Sequence, residues 1–572
     1  MLLSNRDVAT IIFTLADYME VDGANPFRVN AYRRAAQAVE NLKSPLNEQL
    51  DELTSIEGIG RGTAAVIREI ALTGELQLLD EYKAKVPASV MQLLHIPGLG
   101  PKTVKTVFQK LGVTDIPSLK QAIVAGNVRK LPGFGPKKEA NILAGIERFG
   151  KRPERLLLGQ ALPLAEALHA HIQVIPGVEK ACLAGSVRRM RETVKDVDLI
   201  VATTDPVRVA TAIVRLPDVA EVISHGETKV TILFDSEQLL QVDVRLVKPA
   251  QFATTLHHFT GSKEHNVRIR QLAKQKGWKV NEYGVERQSD AEIVTFPSET
   301  AFYEQLGLPY IPPELREGEA LPDDVPALVQ LSDIKGDLHM HTVWSDGHHS
   351  VRQMAEAARA KGYKYIAITD HSRSLRVAGG LSIEELLAQR EEIVAVNREL
   401  TDIRVLAGVE MDILADGRLD YPDDVLQSLD YVIAAVHSGL QQDARTMTRR
   451  LLAAIENPYV HQIAHPTGRL LNRRDPYAFD VEEVFRRAGE TGTILELNAN
   501  PNRLDLNDRL LRRATEDFGV KIAVNTDAHR VENLDLMRYG IGTARRGWLT
   551  GADVVNAWSP DKLFAYLQRK RH

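Results

Sequence analysis

Residues 333–572 contain six short apolar runs, YKYIAITDH, IRVLAGVEM, YVIAAVH, HQIAHP, TILELNA and KIAVNTDAH, separated by helical segments. Such alternation predicts a β/α barrel-like domain, because parallel strands need helical crossovers to return the chain. In that architecture the C-terminal strand ends converge on one mouth. DLHMHTVWSDG places His339 and His341 at i, i+2 on one strand face, with Asp346 five residues on; ITDHS adds Asp370 and His371. Glu410, His437, His465, Asp527 and His529 follow at successive strand ends. One such histidine is commonly a hydrogen-bonded core residue, but six in one set point to bound metal. The chain has a single cysteine, Cys182, so neither a disulfide nor a thiolate cage is available. A His and carboxylate set suits Zn²⁺, Mn²⁺ or Fe²⁺, and ligand softness alone does not choose among them. Arg373 and Arg469 lie near these loops as candidate phosphate clamps. His348, His349 and His461 fall outside the pattern and read as surface residues.

The first 150 residues carry an internal repeat: IEGIGRGTAAVI (56–67), IPGLGPKTVKTVF (96–108) and LPGFGPKKEANIL (131–143). Each reads as a helix end, a tight glycine turn and a new helix, that is, a helix–hairpin–helix. The turns at Gly58/Gly60, Gly98/Gly100 and Gly133/Gly135 leave backbone amides free at a helix N-terminus. Such amides hold a phosphate without reading a base. Lys102, Lys105, Lys137 and Lys138 lie just beyond two of the turns and would reinforce that contact. Three copies predict sequence-independent DNA binding.

Between about 180 and 250, short β-branched runs predict a small mixed sheet. Asp196 and Asp198 in KDVDLIV project from one strand face, roughly 7 Å apart at the strand rise. Asp243, in QVDVRL on another strand, would complete a two-metal site. The turn GSVRR, with Gly185, Ser186 and Arg189, offers amides, a hydroxyl and guanidiniums suited to a triphosphate. Together these are the parts a nucleotidyl transfer requires.

GS-x-RR, D-x-D and the later Asp, with HHFTGSKEHNVRIR (257–270) and the helical repeats, resemble a family X DNA polymerase of the bacterial type over approximately residues 1–315. The resemblance implies Asp196, Asp198 and Asp243 as ligands of two Mg²⁺ or Mn²⁺ ions, and Ser186, Arg189 and Arg152 as triphosphate contacts. It also implies His258, Phe259 and Gly261 as the segment holding the sugar, with Asn266 and Arg270 near the nascent base pair and template. His258 stands where the family usually has Tyr. NPFRVNAYRRAA (25–36) resembles the family's 5′-phosphate pocket, with Arg28, Tyr32 and Arg33 as contacts. Val66 stands where some relatives carry a Schiff-base lysine, so lyase activity by that route is not expected.

The last domain resembles the polymerase and histidinol phosphatase (PHP) superfamily, a distorted seven-stranded β/α barrel binding up to three metals. The resemblance implies His339, His341, Asp346, His371, Glu410, His437, His465, Asp527 and His529 as ligands of Mn²⁺, Zn²⁺ or Fe ions. The expected layout is a helical 5′-phosphate domain (1–90), a helix–hairpin–helix domain (91–152), a palm (153–250) and a nucleotide-selection subdomain (251–315). A linker (316–332) and the PHP barrel (333–572) complete the chain.

Composition adds limits. The net charge of −5 is spread as +2 over residues 1–150, −2 over 151–320 and −5 over 321–572, so the acidic end suits metal binding. No apolar run approaches the roughly 18 residues of a membrane span, and the N-terminal segment lacks signal-peptide features. The expectation is a cytoplasmic, monomeric repair polymerase acting on gapped or primer–template DNA with dNTPs, without membrane association. Its barrel would process 3′ ends as a 3′–5′ exonuclease or phosphoesterase. The alternative is a polymerase whose barrel is a small-molecule phosphatase or an inactive structural domain.

Overall fold

The computed structural model describes residues 5–40, 42, 46, 49–50, 52–96, 99–148, 155–235, 239–287, 292–318 and 321–570. The chain divides into two compact units, Met1–Pro153 and Glu154–His572.

The first unit is helical. In α1 (Asn5–Asp22), Val8, Ile12, Leu15 and Met19 recur at helical spacing and are buried, giving the helix one core-facing stripe. It packs beside α2 (Pro26–Glu40), and α3 (Arg61–Thr73), α4 (Pro101–Leu111) and α5 (Pro136–Arg148) complete the hairpins. Each hairpin begins with a short 3₁₀ turn, Leu53–Ser55, Leu93–His95 or Val128–Lys130. The chain then enters the next helix through a glycine. Gly60 and Gly100 are the extended N-caps of α3 and α4, and Pro101 occupies the first turn of α4, where its missing N–H costs nothing. Gly58 and Gly133 have φ of +98° and +79°, a region a side chain disfavours.

The second unit holds the palm sheet, a small mixed helical and stranded segment after it, and the barrel. The palm sheet comprises β1 (Val178–Leu183), β2 (Asp196–Thr203), β3 (Val219–His225), β4 (Lys229–Phe234) and β5 (Leu240–Val247), in the order β1-β2-β5-β4-β3. It is mixed: β2 and β5 run parallel, and the other pairs are antiparallel. In β5 the residues alternate strictly between buried and half-buried, so one face meets the core and the other the cleft. After the palm come helices Phe252–Thr260 and Lys263–Gln275, a three-stranded sheet and helix Glu299–Gln305.

The barrel strands are β6 (Gly336–Asp337), β7 (Tyr365–Ile368), β8 (Arg404–Asp412), β9 (Tyr431–Ala435), β10 (Gln462–Ile463), β11 (Ile494–Asn498) and β12 (Ile522–Asn525). All are parallel and paired in chain order. The ends nearly meet through a parallel bridge between Met340 and Ala528, where the His341 amide donates to the Ala528 carbonyl at 2.8 Å. The strands read as apolar runs because helices cover them outside while side chains fill them inside.

Segment 316–332, expected to be a linker, is packed rather than open. Arg316 is fully buried, Leu328 bridges to Thr550, and the Val329 amide donates to the Leu549 carbonyl at 2.9 Å. Glu317 in this segment pairs with Arg189 of the palm and Arg546 of the barrel.

Candidate active sites

In the palm, β2 and β5 lie in parallel register with Asp198 beside Asp243, and Asp196 two residues earlier shares the face. Burial and the neighbouring carboxylates of Asp196 and Asp243 push the Asp198 carboxyl up to about 7. Three acids so crowded favour a divalent cation among them. Asp243 is meanwhile held by Lys229 Nζ at 2.7 Å and by the Thr231 hydroxyl at 2.8 Å. Gly185 is required where it stands: its φ is +64°, and a Cβ there would lie 2.6 Å from Asp198 Oδ2. The turn that follows therefore presses directly on the carboxylates.

A cavity of about 500 Å³ opens over this face. Gly185, Ser186, Arg189, Asp196, Asp198, His258, Phe259, Gly261, Asn266 and Arg270 all line it. Asn266 does not point freely into it, since its amide donates to the His258 carbonyl at 2.7 Å. Phe259 is stacked by the Arg245 guanidinium, 4.6 Å from the ring centre. Arg155 and Lys263 also line the cavity, and sequence reasoning passed them over. Arg152 lies outside the described residues.

Nine donors predicted for the barrel come from six of its seven strand ends and meet at its C-terminal mouth. His341, Asp346, His371 and His529 form one group with donor atoms within 4.8 Å of one another; His339, His341 and Asp527 form a second; His371, Glu410 and His437 form a third. His465 Nε2 reaches Glu410 Oε1 at 2.9 Å. Glu410, 1 % exposed, is the hub: its oxygens lie 2.9 Å from His371 Nδ1 and 3.4 Å from both His339 Nε2 and His437 Nε2. Burial alone would raise its pKa, but the imidazoles of His339, His437 and His371 hold it well below the usual range. Burial and the neighbouring His371 push His341 down to about 3, leaving a neutral imidazole suited to ligation.

The donor set fits cations. His339 Nε2 and His341 Nε2 face one another at 3.2 Å, with Asp527 Oδ1 3.1 Å from the second, and buried His341 Nδ1 has no hydrogen-bond partner. Among the described residues, donor groups of this spacing occur only in the barrel and not at the palm aspartates.

Two orienting residues escaped the sequence reading. Glu496 Oε1 lies 2.8 Å from His339 Nδ1, and Asp412 Oδ1 lies 2.7 Å from His437 Nδ1. Both fix a ring so that Nε2 faces the cluster. Their signal was an acid facing inward on an apolar strand.

Several expected residues sit elsewhere. Asp370 accepts from the Thr342 amide at 2.8 Å and from Gln389, bracing the loop before Asp346 instead of joining the cluster. Arg469 pairs with Glu192 of the palm at 2.7 Å, and Arg373 with Asp420 at 3.3 Å, so neither is a free clamp. The Arg503 guanidinium does reach a ligand, 3.9 Å from Asp527 Oδ2. His461 is buried and stacked on Tyr431, not on the surface.

In the first unit, Arg28, Tyr32, Arg34, Gly58 and Gly60 line a cavity of about 560 Å³. Arg33 turns away, pairing with Asp17 at 2.8 Å and Glu20 at 2.6 Å. Lys138 lies over the Phe134 ring at 4.1 Å. Gly135 directly precedes α5, whereas Gly98 and the side chains of Lys102 and Lys137 lie outside the described residues.

A nucleotidyltransferase palm and a His/carboxylate barrel on one chain define a DNA polymerase joined to a metal-dependent phosphoesterase. Four segments match known families: residues 4–76 the helix-hairpin-helix domain, 90–148 the SAM-like helix-hairpin-helix tandem, 255–317 the DNA polymerase beta thumb and 337–513 the PHP domain. The chain is 47% identical over 571 residues to the DNA polymerase/3'-5' exonuclease PolX of Bacillus subtilis, covering 99% of this chain and 100% of that protein. It belongs to the bacterial family X DNA polymerases that carry a C-terminal PHP domain. A stretch of 246 residues, 41% of this chain, is 30% identical to a protein named probable phosphatase from Thermoanaerobacter sp. and covers 95% of that protein. A similarly named protein of Caldicellulosiruptor bescii is 34% identical over 205 residues, 34% of this chain and 79% of that protein.

Proposed function

We propose that this chain fills short DNA gaps by template-directed nucleotidyl transfer and shortens 3′ ends with its barrel, as a repair polymerase with a 3′–5′ exonuclease. The observation that carries the reading is the full-length match to the B. subtilis polymerase/exonuclease, supported by the palm aspartates in register and the donor groups at the barrel mouth. Asp196, Asp198 and Asp243 would hold two Mg²⁺ or Mn²⁺ ions. Such ions lower the pKa of an attacking hydroxyl and neutralise the leaving pyrophosphate. Arg189, Ser186 and the turn amides hold the triphosphate, while His258, Phe259 and Gly261 confine the sugar and Arg270 meets the template side. Arg28, Tyr32 and the Gly58/Gly60 amides form the receptor for a 5′ phosphate, and the later hairpins grip the duplex backbone.

In the barrel, the nine donors from His339 to His529 would hold up to three ions, with Mn²⁺, Zn²⁺ and Fe as the candidates. Glu410 lies at the centre of these donors, Glu496 and Asp412 hold the rings in register, and Arg503 would meet a phosphate oxygen. A tethered exonuclease sees the polymerase's own terminus at high effective concentration. The protein is proposed to work as a cytoplasmic monomer.

The test is a 5′-labelled primer on a one-nucleotide gap with a 5′ phosphate. With dNTPs the primer gains the templated base; without them it shortens, releasing mononucleotides. The likeness to probable phosphatases supports a second reading, a barrel acting on small phosphomonoesters. A higher kcat/KM on a free phosphomonoester than on the DNA end would favour it.

A further inference from the structure

The contact between barrel and palm reaches the triphosphate turn. Helix Met537–Arg546 of the barrel packs on Met190, so closely that a Cβ at Gly542 would lie 2.5 Å from the Met190 thiomethyl carbon. At the end of that helix Arg546, 9 % exposed, donates through Nη1 to the Arg189 carbonyl at 2.9 Å and to Glu317 Oε1 at 2.8 Å; Nη2 donates to Asp508. The same Glu317 oxygen accepts from Arg189 Nε at 2.8 Å, and Glu317 Oε2 accepts from Arg191 at 3.4 Å. Arg189 Nη1 donates to the Thr260 carbonyl, which fixes the guanidinium between palm and nucleotide-selection subdomain.

The charges around Glu317 explain what Arg546 does. Three guanidiniums, of Arg189, Arg191 and Arg546, face two carboxylates, of Glu317 and Asp508, which leaves one positive charge at the turn. Burial would raise the Glu317 carboxyl, but Arg546 first and then Arg189 and Arg191 outweigh it and keep it ionised. Without Arg546 the excess vanishes, and Glu317 is left to pair with Arg189 and Arg191 only, drawing the Arg189 guanidinium more strongly to itself.

We infer that Arg546 of the PHP barrel is a positioning residue for the polymerase reaction: by neutralising Glu317 and holding the Arg189 backbone, it keeps the Arg189 guanidinium available to the dNTP triphosphate. This rests on the proposed role of Arg189 as a triphosphate contact. The barrel thereby contributes to dNTP affinity separately from any chemistry of its own. Among the described residues, two other ion pairs cross between barrel and palm, Arg538 with Glu166 and Arg469 with Glu192, but neither touches the triphosphate turn.

The test is single-nucleotide gap filling by the full chain, with KM for dNTP and kcat measured separately. The variants are Arg546→Ala, Arg546→Lys, Arg538→Met, Arg189→Ala and the double variant Arg189→Ala/Arg546→Ala. Arg546→Ala is expected to raise KM for dNTP roughly tenfold, the scale of a typical coupling between sites, with kcat little changed. Arg546→Lys restores most of the affinity, and Arg538→Met leaves it unchanged. On the Arg189→Ala background, Arg546→Ala adds no further rise. Retained 3′ degradation by each variant verifies that the barrel is folded. An unchanged KM in Arg546→Ala, an equal rise in Arg538→Met, or multiplicative effects in the double variant would overturn the inference. If Arg189→Ala itself leaves KM unchanged, the role of Arg189 is wrong, and the inference falls with it for that distinguishable reason.

Discussion

Glu299, in the segment after the palm, pairs with Arg188 of the palm, and replacing it by Gln probes what holds the two together. The carboxylate, 7 % exposed, accepts from Arg188 at 3.1 and 2.6 Å and from Arg316 at 2.7 Å. Arg316 is itself fully buried, with Tyr303 and Tyr310 rings 5.2 and 5.6 Å from its guanidinium carbon. Glu299→Gln keeps the shape and one acceptor but leaves one buried guanidinium, of Arg316, and one half-buried, of Arg188, without a counter-charge. Removing one partner of a buried pair costs about 3–5 kcal/mol, and the retained amide oxygen places this case at the low end, about 3 kcal/mol. At roughly 1.4 kcal/mol per decade, amides that exchange through local opening of this region should exchange about a hundredfold faster. Burial would raise the Glu299 carboxyl, but Arg316 and Arg188 outweigh it and hold it below its ordinary 4.5. The stabilisation is therefore complete above about pH 5 and is lost as the pH falls through the lower folded value. Hydrogen exchange of peptides covering 252–317, comparing variant with wild type at each pH, should show the full difference at pH 7 and little in strong acid. Equal protection at pH 7, or a difference that persists undiminished in acid, would refute the reasoning.

Glu496→Gln should lower 3′ degradation about 10–100-fold, the usual effect of losing an orienting partner of a metal-ligating histidine, with metal content reduced by elemental analysis. Gap filling by that variant should be unaffected. Gly58→Ala forces a side chain into a φ of +98° with its Cβ 3.4 Å from the Arg34 carbonyl. It should cost about 1–3 kcal/mol of stability by thermal unfolding and reduce the preference for a 5′-phosphorylated gap over an unphosphorylated one.

Much of this was legible because short-range patterns carry it. The G-x-G turns announce their hairpins through backbone conformations only glycine adopts cheaply, as Gly58 and Gly133 show. Asp196 and Asp198 share a face by strand periodicity, and register with β5 then supplies Asp243. The barrel donors follow strand ends, so chain order predicts their meeting. What escaped depends on contacts between distant segments. Arg469 and Arg33 read as free cations until Glu192, Asp17 and Glu20 appear beside them. Asp370, beside the cluster residue His371 in the sequence, is held instead by Thr342 and Gln389, partners that only the fold brings to it. The acidic, Pro-containing stretch 316–332 reads as a spacer because composition cannot show that Arg316 is buried against Glu299. Glu496 hides inside an apolar run, and Arg546 gains its meaning only across a domain boundary.

The central claim is that one chain carries two independent catalytic centres. Its most direct test follows a 5′-labelled primer in a one-nucleotide gap, with Mn²⁺ or Mg²⁺, with and without dNTPs, for wild type, Asp243→Ala and His339→Ala. The account predicts that Asp243→Ala loses only extension and His339→Ala loses only 3′ degradation. Degradation that survives His339→Ala, or extension that survives Asp243→Ala, would contradict it.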